Sequence, residues 1–195
     1  MKDQLKWVLN HMPKSDDQHL DVMSLPNVAK ARSFHGSFPQ SSIAPLAQLD
    51  GMAQYLGLAG VYVKDESYRF GLNAFKVLGG SFAMARYIAG EMGRDVSEMN
   101  YNYLTSEAFR KEFGQATFFT ATDGNHGRGV AWAANKLGQK SVVHMPEGSS
   151  KSRFDNIAKE GAKVTIEEVN YDDCVRMAAA EAAQTEHGHM GALQA

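Results

Sequence analysis

At 195 residues, with 44% hydrophobic and 22% charged side chains, the chain has an ordinary globular composition and enough length to bury a core. Its 20 basic and 22 acidic residues leave a formal charge of −2 without a long run of either sign, which argues against nucleic acid or an anionic membrane as main partner. The opening MKDQLKWVLNHMPKSDDQ lacks the apolar segment of a signal peptide, no stretch is long enough to span a bilayer, and the single Cys174 excludes an internal disulfide framework, so the cytoplasm is the expected compartment.

Residues 1–40 carry little periodicity and are punctuated by Pro13, Pro26 and Pro39, so loops and short helices are expected there. Ile43 to Gly57 reads as a turn followed by a helix, and Val61 to Lys64 as a short strand. From Lys76 to Met92, Val77, Phe82, Met84, Ala85 and Ile88 recur at helical spacing, and Gly90 and Gly93 end the run. Residues 94–116 are polar, with one helix expected at about 107–113, and read as an excursion between sheet units.

Regular alternation follows. Strand 117–122 leads to helix 125–137, strand 141–145 to a helix at about 149–160, and strand 163–169 to a helix at about 171–184. Strands separated by helices of this length lie parallel in one sheet with right-handed crossovers. Gly138 and Gly161 mark two of the helix ends. The predicted class is therefore α/β, an open and mostly parallel sheet with flanking helices.

Two places could carry chemistry. The strand at 117–122 breaks through Asp123-Gly124-Asn125-His126-Gly127 into an Ala-rich helix, and a helix that starts so presents backbone N–H groups to an anion. An acidic Asp123 beside such a site is unfavourable unless its carboxylate handles protons. Lys76 stands at the start of a second helix, behind Phe75 and ahead of an apolar face. The helix dipole and desolvation would both disfavour its ammonium, leaving an amine able to attack a carbonyl, although a lysine in a first turn is ordinarily a surface residue. Other candidates have plainer readings. Cys174, beside Val175 and Ala178, reads as a buried inert thiol. His187 and His189 read as a solvated tail and not a metal site, His126 as a turn residue with a local bond, and Arg128 and Trp132 as packing and surface. Gly124, Gly127 and Gly129 do not have the spacing of a dinucleotide fingerprint.

KDESYRFGLNAFKVLGGSFA, TATDGNHGRGVAWAA, MPEGSSKSRFDNIAKEGAKV and NYDDCVRMAA together resemble the diaminopropionate ammonia-lyases, within the fold type II pyridoxal-phosphate enzymes. The resemblance runs from about Phe38 to Gly188, and the Asp in Thr122-Asp123-Gly124-Asn125-His126-Gly127 is its narrow mark. It implies pyridoxal 5'-phosphate held covalently by Lys76, which then serves as a base, with Asn125 bonded to the cofactor's phenolic oxygen. It implies that Thr122, Gly124 and His126 help bind the substrate carboxylate, mainly through backbone N–H groups, and that Asp123 is a second proton-transfer group on the opposite face. The implied reaction is elimination from either enantiomer of 2,3-diaminopropionate to pyruvate and ammonia, an amino-acid catabolic step, in a homodimer.

Residues 1–92 would contribute to the larger domain, 93–188 would form the smaller one, and 189–195 are a divergent tail. Ala44 replaces the family's usual threonine in Thr-Pro-Leu. Family members are longer, and the resemblance ends before the loop that cradles the cofactor phosphate, so the chain reads as truncated and weak or inactive alone. A serine or threonine dehydratase and a non-catalytic fragment are the rival readings.

Overall fold

The computed structural model describes Leu9, His11, residues 20–185 and the backbone of Gly188 and His189. The expected tail at 189–195 and the His187–His189 pair thus fall outside the described side chains.

After a 3-10 turn at Leu20–Met23, α1 runs Leu25–Gly36, with proline in its first turn where a missing N–H does no harm. It is longer than the short helices expected, and the sequence shows no helical period there because its apolar residues do not gather on one face: Phe34 is buried, while Leu25 and Val28 are exposed. β1 (Leu46–Gln48) and β2 (Tyr62–Lys64) form an antiparallel ribbon with Ala47 opposite Val63, joined through α2 (Asp50–Leu56), which Gly57 ends in the left-handed region at φ 66°. β1 was expected as part of a turn, and three residues are too few to show a period.

A 3-10 segment, Glu66–Gly71, leads to α3 (Val77–Glu91). The excursion after it holds a turn at Val96–Glu98 inside an Asp95–Glu98 capping box, then α4 (Tyr101–Leu104) and α5 (Glu107–Glu112), one helix more than expected. Asn100 and Ser106 explain both short helices, since each side chain accepts the N–H of the residue three along.

β3 (Thr117–Ala121), α6 (Asn125–Lys136), β4 (Lys140–Met145), α7 (Lys151–Ala158), β5 (Lys163–Ile166), α8 (Tyr171–Gln184) and β6 (Gly188–His189) complete the chain. The four strands are parallel in the order β5-β4-β3-β6, the α/β arrangement the alternation predicted. β5 ends at Ile166, short of the expected 169.

Side chains alternate across this sheet as the pleat requires. Phe119 and Val142 face α8 with Ala178 and Ala182, while Val143 and Met145 face α6 and α7 with Ala131 and Ile157. Phe118 enters the largest cluster, which takes Phe34, Phe38 and Phe70, the buried face of α3, Phe109, Val130, Trp132 and Leu137. Each such large side chain contributes about 1.5–3 kcal/mol by leaving water. That cluster draws on both sides of residue 92, so α3 and α6 share one core at the place where the candidate site lies. Among the described residues, no helix is long and apolar enough to cross a membrane.

Candidate active site

The turn between β3 and α6 is built on Thr122. Its side chain is buried, and its Oγ1 accepts the N–H of Gly124 at 3.0 Å and of Gly127 at 3.1 Å, while its own N–H donates to the carbonyl of His144 at 2.9 Å. The amides of Thr122 and Gly124, expected to meet a substrate carboxylate, are thus engaged in holding the turn. The acceptors are a hydroxyl two residues before the N-cap for Gly124 and the neighbouring strand's carbonyl for Thr122. Gly127 is required by space: a Cβ there would lie 2.2 Å from Thr122 Cγ2 and 2.9 Å from Val143 Cγ1.

Asp123 and Asn125 present exposed side chains at the rim of this turn, with His126 half-buried beside them. Arg153 of α7 reaches over: its Nη1 donates to the main-chain oxygen of Asp123 at 3.1 Å and stands 3.6 Å from Oδ2. Asp123 therefore has a cation over it and an open face to solvent.

Lys76 is the N-cap of α3, and it is exposed. The burial expected for its amine is absent, and Phe75 before it is itself turned to solvent. The chain arrives at Lys76 through an unusual loop. Phe70, Gly71 and Asn73 all have left-handed backbones, at φ 50°, 72° and 58°. For the two non-glycine residues this costs about 1–3 kcal/mol each, and such geometry persists only when its surroundings fix it. They do. Phe70 is buried with its ring 5.1 Å from Trp132 and 5.7 Å from Phe38. Arg69 forms a two-pronged pair with Glu66 at 2.7 and 2.8 Å, which holds the Glu66 carboxyl below its usual range. Lys64 meanwhile bonds the carbonyl of Ala44, so the 64–66 stretch is structural. Beyond the lysine, the His35 ring lies 2.9 Å from the Leu78 carbonyl through Nε2.

The two helix beginnings meet. A Cβ on Gly129 would lie 2.9 Å from both the N and the Cα of Val77, so α6 touches the backbone of the residue next to Lys76 with no side chain between. Arg128 adds a second link, from its Nη1 to the Leu72 carbonyl at 3.3 Å. Trp132 packs in the core as expected, against Phe38 and Phe70, while Arg128, expected at the surface, reaches the lysine loop. The signal was present in the spacing: Asn125, Arg128 and Trp132 stand at i, i+3 and i+7, one face of a helix. Cys174 is buried as expected, and burial pushes its thiol up, with Glu167 and Asp173 adding to the shift.

The chain is 49% identical over 146 residues to a diaminopropionate ammonia-lyase of Salmonella typhimurium, covering 75% of this chain and 36% of that protein. It is 44% identical over 158 residues to the enzyme of that name from Escherichia coli K12, covering 81% and 38%. The apo crystal structure of Escherichia coli diaminopropionate ammonia lyase superposes with a TM-score of 0.77 at 42% identity, over 84% of this chain and 44% of that one. The chain thus spans 36–38% of the length of these curated relatives. Residues 39–192, most of the sequence, match the family model described as pyridoxal-phosphate dependent enzyme, and the chain belongs to that family.

Proposed function

We propose that this chain forms the lysine-bearing part of an enzyme that uses pyridoxal phosphate to eliminate ammonia from 2,3-diaminopropionate, yielding pyruvate after water replaces the second nitrogen. The reading rests above all on the contact of Gly129 with the backbone of Val77, which sets the amine-bearing start of α3 against the anion-favouring start of α6. The donor set suits the carbonyl end of the cofactor. Lys76 offers an exposed primary amine to the aldehyde, and Asn125 offers an exposed carboxamide to the phenolic oxygen. When bound, the cofactor supplies a sink for the electron pair left when a proton departs from Cα.

The chain's own residues do the rest. Lys76 would hold the cofactor through its amine and would remove the Cα proton from one face. Asp123, on the opposing turn with Arg153 above it, moves a proton on the other face, which suits both enantiomers. The substrate carboxylate lies at the N-terminus of α6 near His126, where the helix dipole favours negative charge. Thr122 and Gly124 shape that place rather than donate to it. Residues 1–92 would join a larger domain completed by the remaining length of a full relative, which would also hold the cofactor phosphate, and 93–188 would form the smaller one. A cytoplasmic, catabolic setting and a homodimer suit this chemistry.

The test supplies pyridoxal phosphate and 2,3-diaminopropionate to the protein alone and mixed with the part of the Salmonella relative beyond the matched stretch. Pyruvate is expected from the mixture, little from the chain alone, and none from a mixture carrying Lys76→Ala. Turnover unaffected by that substitution would refute the reading, and faster turnover of serine or threonine would favour a dehydratase.

A further inference from the structure

Arg128 is the fourth residue of α6, and it grips in two directions. Its Nε and Nη2 both lie 2.9 Å from Glu160 Oε1, and its Nη1 donates to the Leu72 carbonyl at 3.3 Å. The side chains are 28% and 19% exposed, so the pair is partly shielded from water. Glu160 has little freedom. It closes the last turn of α7 with its N–H on the Ile157 carbonyl at 3.0 Å, and the next residue, Gly161, bends away at φ 94° against Asn135 of α6. Leu72 lies between the left-handed Gly71 and Asn73, four residues before Lys76. The path is therefore continuous: α7 fixes Glu160, Glu160 fixes the guanidinium, and the guanidinium fixes the carbonyl of the loop that delivers the lysine.

We propose that Arg128 is a positioning residue, which with Glu160 sets the lysine loop at a fixed place against the 122–127 turn. The inference rests on the proposed role of Lys76 and adds a reason why α7 belongs to the site. α7 touches the turn through Arg153, and Glu160, two residues past its end, reaches the lysine loop through Arg128, so this element links both halves of the site. A planar guanidinium is needed, since it has two edges to offer, and an ammonium in its place can serve Glu160 or Leu72 but not both in this geometry.

The test compares the wild type with Arg128→Ala, Arg128→Lys, Glu160→Ala and Glu160→Gln by two readouts. The first is amide hydrogen exchange in the protein without cofactor. Arg128→Ala and Glu160→Ala are expected to speed exchange across 70–77 by about tenfold, while peptides from β4 and α8 keep their rates. The second is the initial rate at which pyridoxal phosphate becomes trapped on Lys76 by borohydride, expected to fall by about tenfold in both, as a misplaced amine requires. Arg128→Lys should resemble Arg128→Ala, and Glu160→Gln, which keeps an acceptor for the guanidinium, should stay near the wild type. Exchange that rises evenly over the whole protein, or a loop that keeps its rate, would overturn the proposal. If Arg128→Ala does not fold, the two Glu160 variants decide the same question. If even the wild type is not trapped at Lys76, the proposed function fails, and the exchange pattern still judges the Arg128 contact by itself.

Discussion

The strands β3 and β4 and the strands β1 and β2 are made from similar residues and meet opposite fates. In β3 and β4, Phe118, Phe119, Val142 and Val143 are all buried, because α8 covers one face of the sheet and α6 with α7 cover the other. In the ribbon of β1 and β2 every residue is exposed, and around it Ile43 is 90% and Tyr55 88% exposed, with Leu46, Leu56, Leu58 and Tyr62 also turned outward. A two-stranded ribbon with both faces bare is not a self-sufficient structure. Exposed apolar area of this kind marks a surface that something else covers. This chain spans 36–38% of the length of its curated relatives. Lys76 lies on the seam between the two regions: Phe75 before it is 59% exposed and Val77 after it is 1% exposed. The proposed cofactor lysine thus stands where the buried core gives way to exposed apolar surface.

The comparison breaks most readily at Trp132. Trp132→Ala removes the ring that joins Phe38 and Phe70 to α6, and a loss of about 3–5 kcal/mol is expected in chemical denaturation. A loss below about 1 kcal/mol would mean that the lysine loop is not rooted in the finished core. Gly129→Ala comes next. Its methyl would press on the backbone of Val77, which cannot rotate away, and a cost of about 1–3 kcal/mol is expected as a lowered thermal midpoint. Thr122→Val keeps the shape and removes the acceptor of two amides, for a loss of about 1–2 kcal/mol in the same measurement.

Protonation offers a gentler probe. Burial lowers the His35 pKa beneath its ordinary 6.5, outweighing the bond to Leu78, so the folded state prefers the neutral ring. The unfolded chain then binds the extra proton first as the pH falls. The stability this contributes is complete above 6.5 and is lost as the pH drops through the lower folded value. His35→Gln should flatten that part of a stability-against-pH curve, and an unchanged slope would locate the dependence elsewhere. The smallest effect belongs to the bare ribbon. Tyr55→Ser should change stability by no more than about 0.5 kcal/mol, yet weaken association with the complementing part of a relative in a binding titration.

How much of this was legible in the sequence follows the same division. The alternation from β3 to α8 could be read because β3 and β4 are buried on both faces and glycines mark where helices stop; α8 lies at Tyr171–Gln184, where the pattern put it. α1 and β1 could not, because their side chains do not sort into a buried and an exposed face within this chain. Lys76 and the 122–127 turn were singled out from the logic of helix beginnings, but the sequence did not show that the Thr122 hydroxyl accepts the amides of Gly124 and Gly127 while the Thr122 amide donates to the His144 carbonyl. That pairing is three-dimensional: it depends on Thr122 pointing inward under the turn. Arg128 was missed for a different reason. A lone arginine on a helix resembles any other surface cation until the chain brings Leu72 and Glu160 to its two edges.

The central claim is that the amine of Lys76 faces the turn at 122–127 and receives the cofactor there. Incubation of the protein with pyridoxal phosphate, reduction with borohydride and mapping of the modified peptide by mass spectrometry test it most directly. The account predicts that Lys76 carries the label and that Lys76→Ala carries none. Label on another lysine, retained in full by Lys76→Ala, would contradict it.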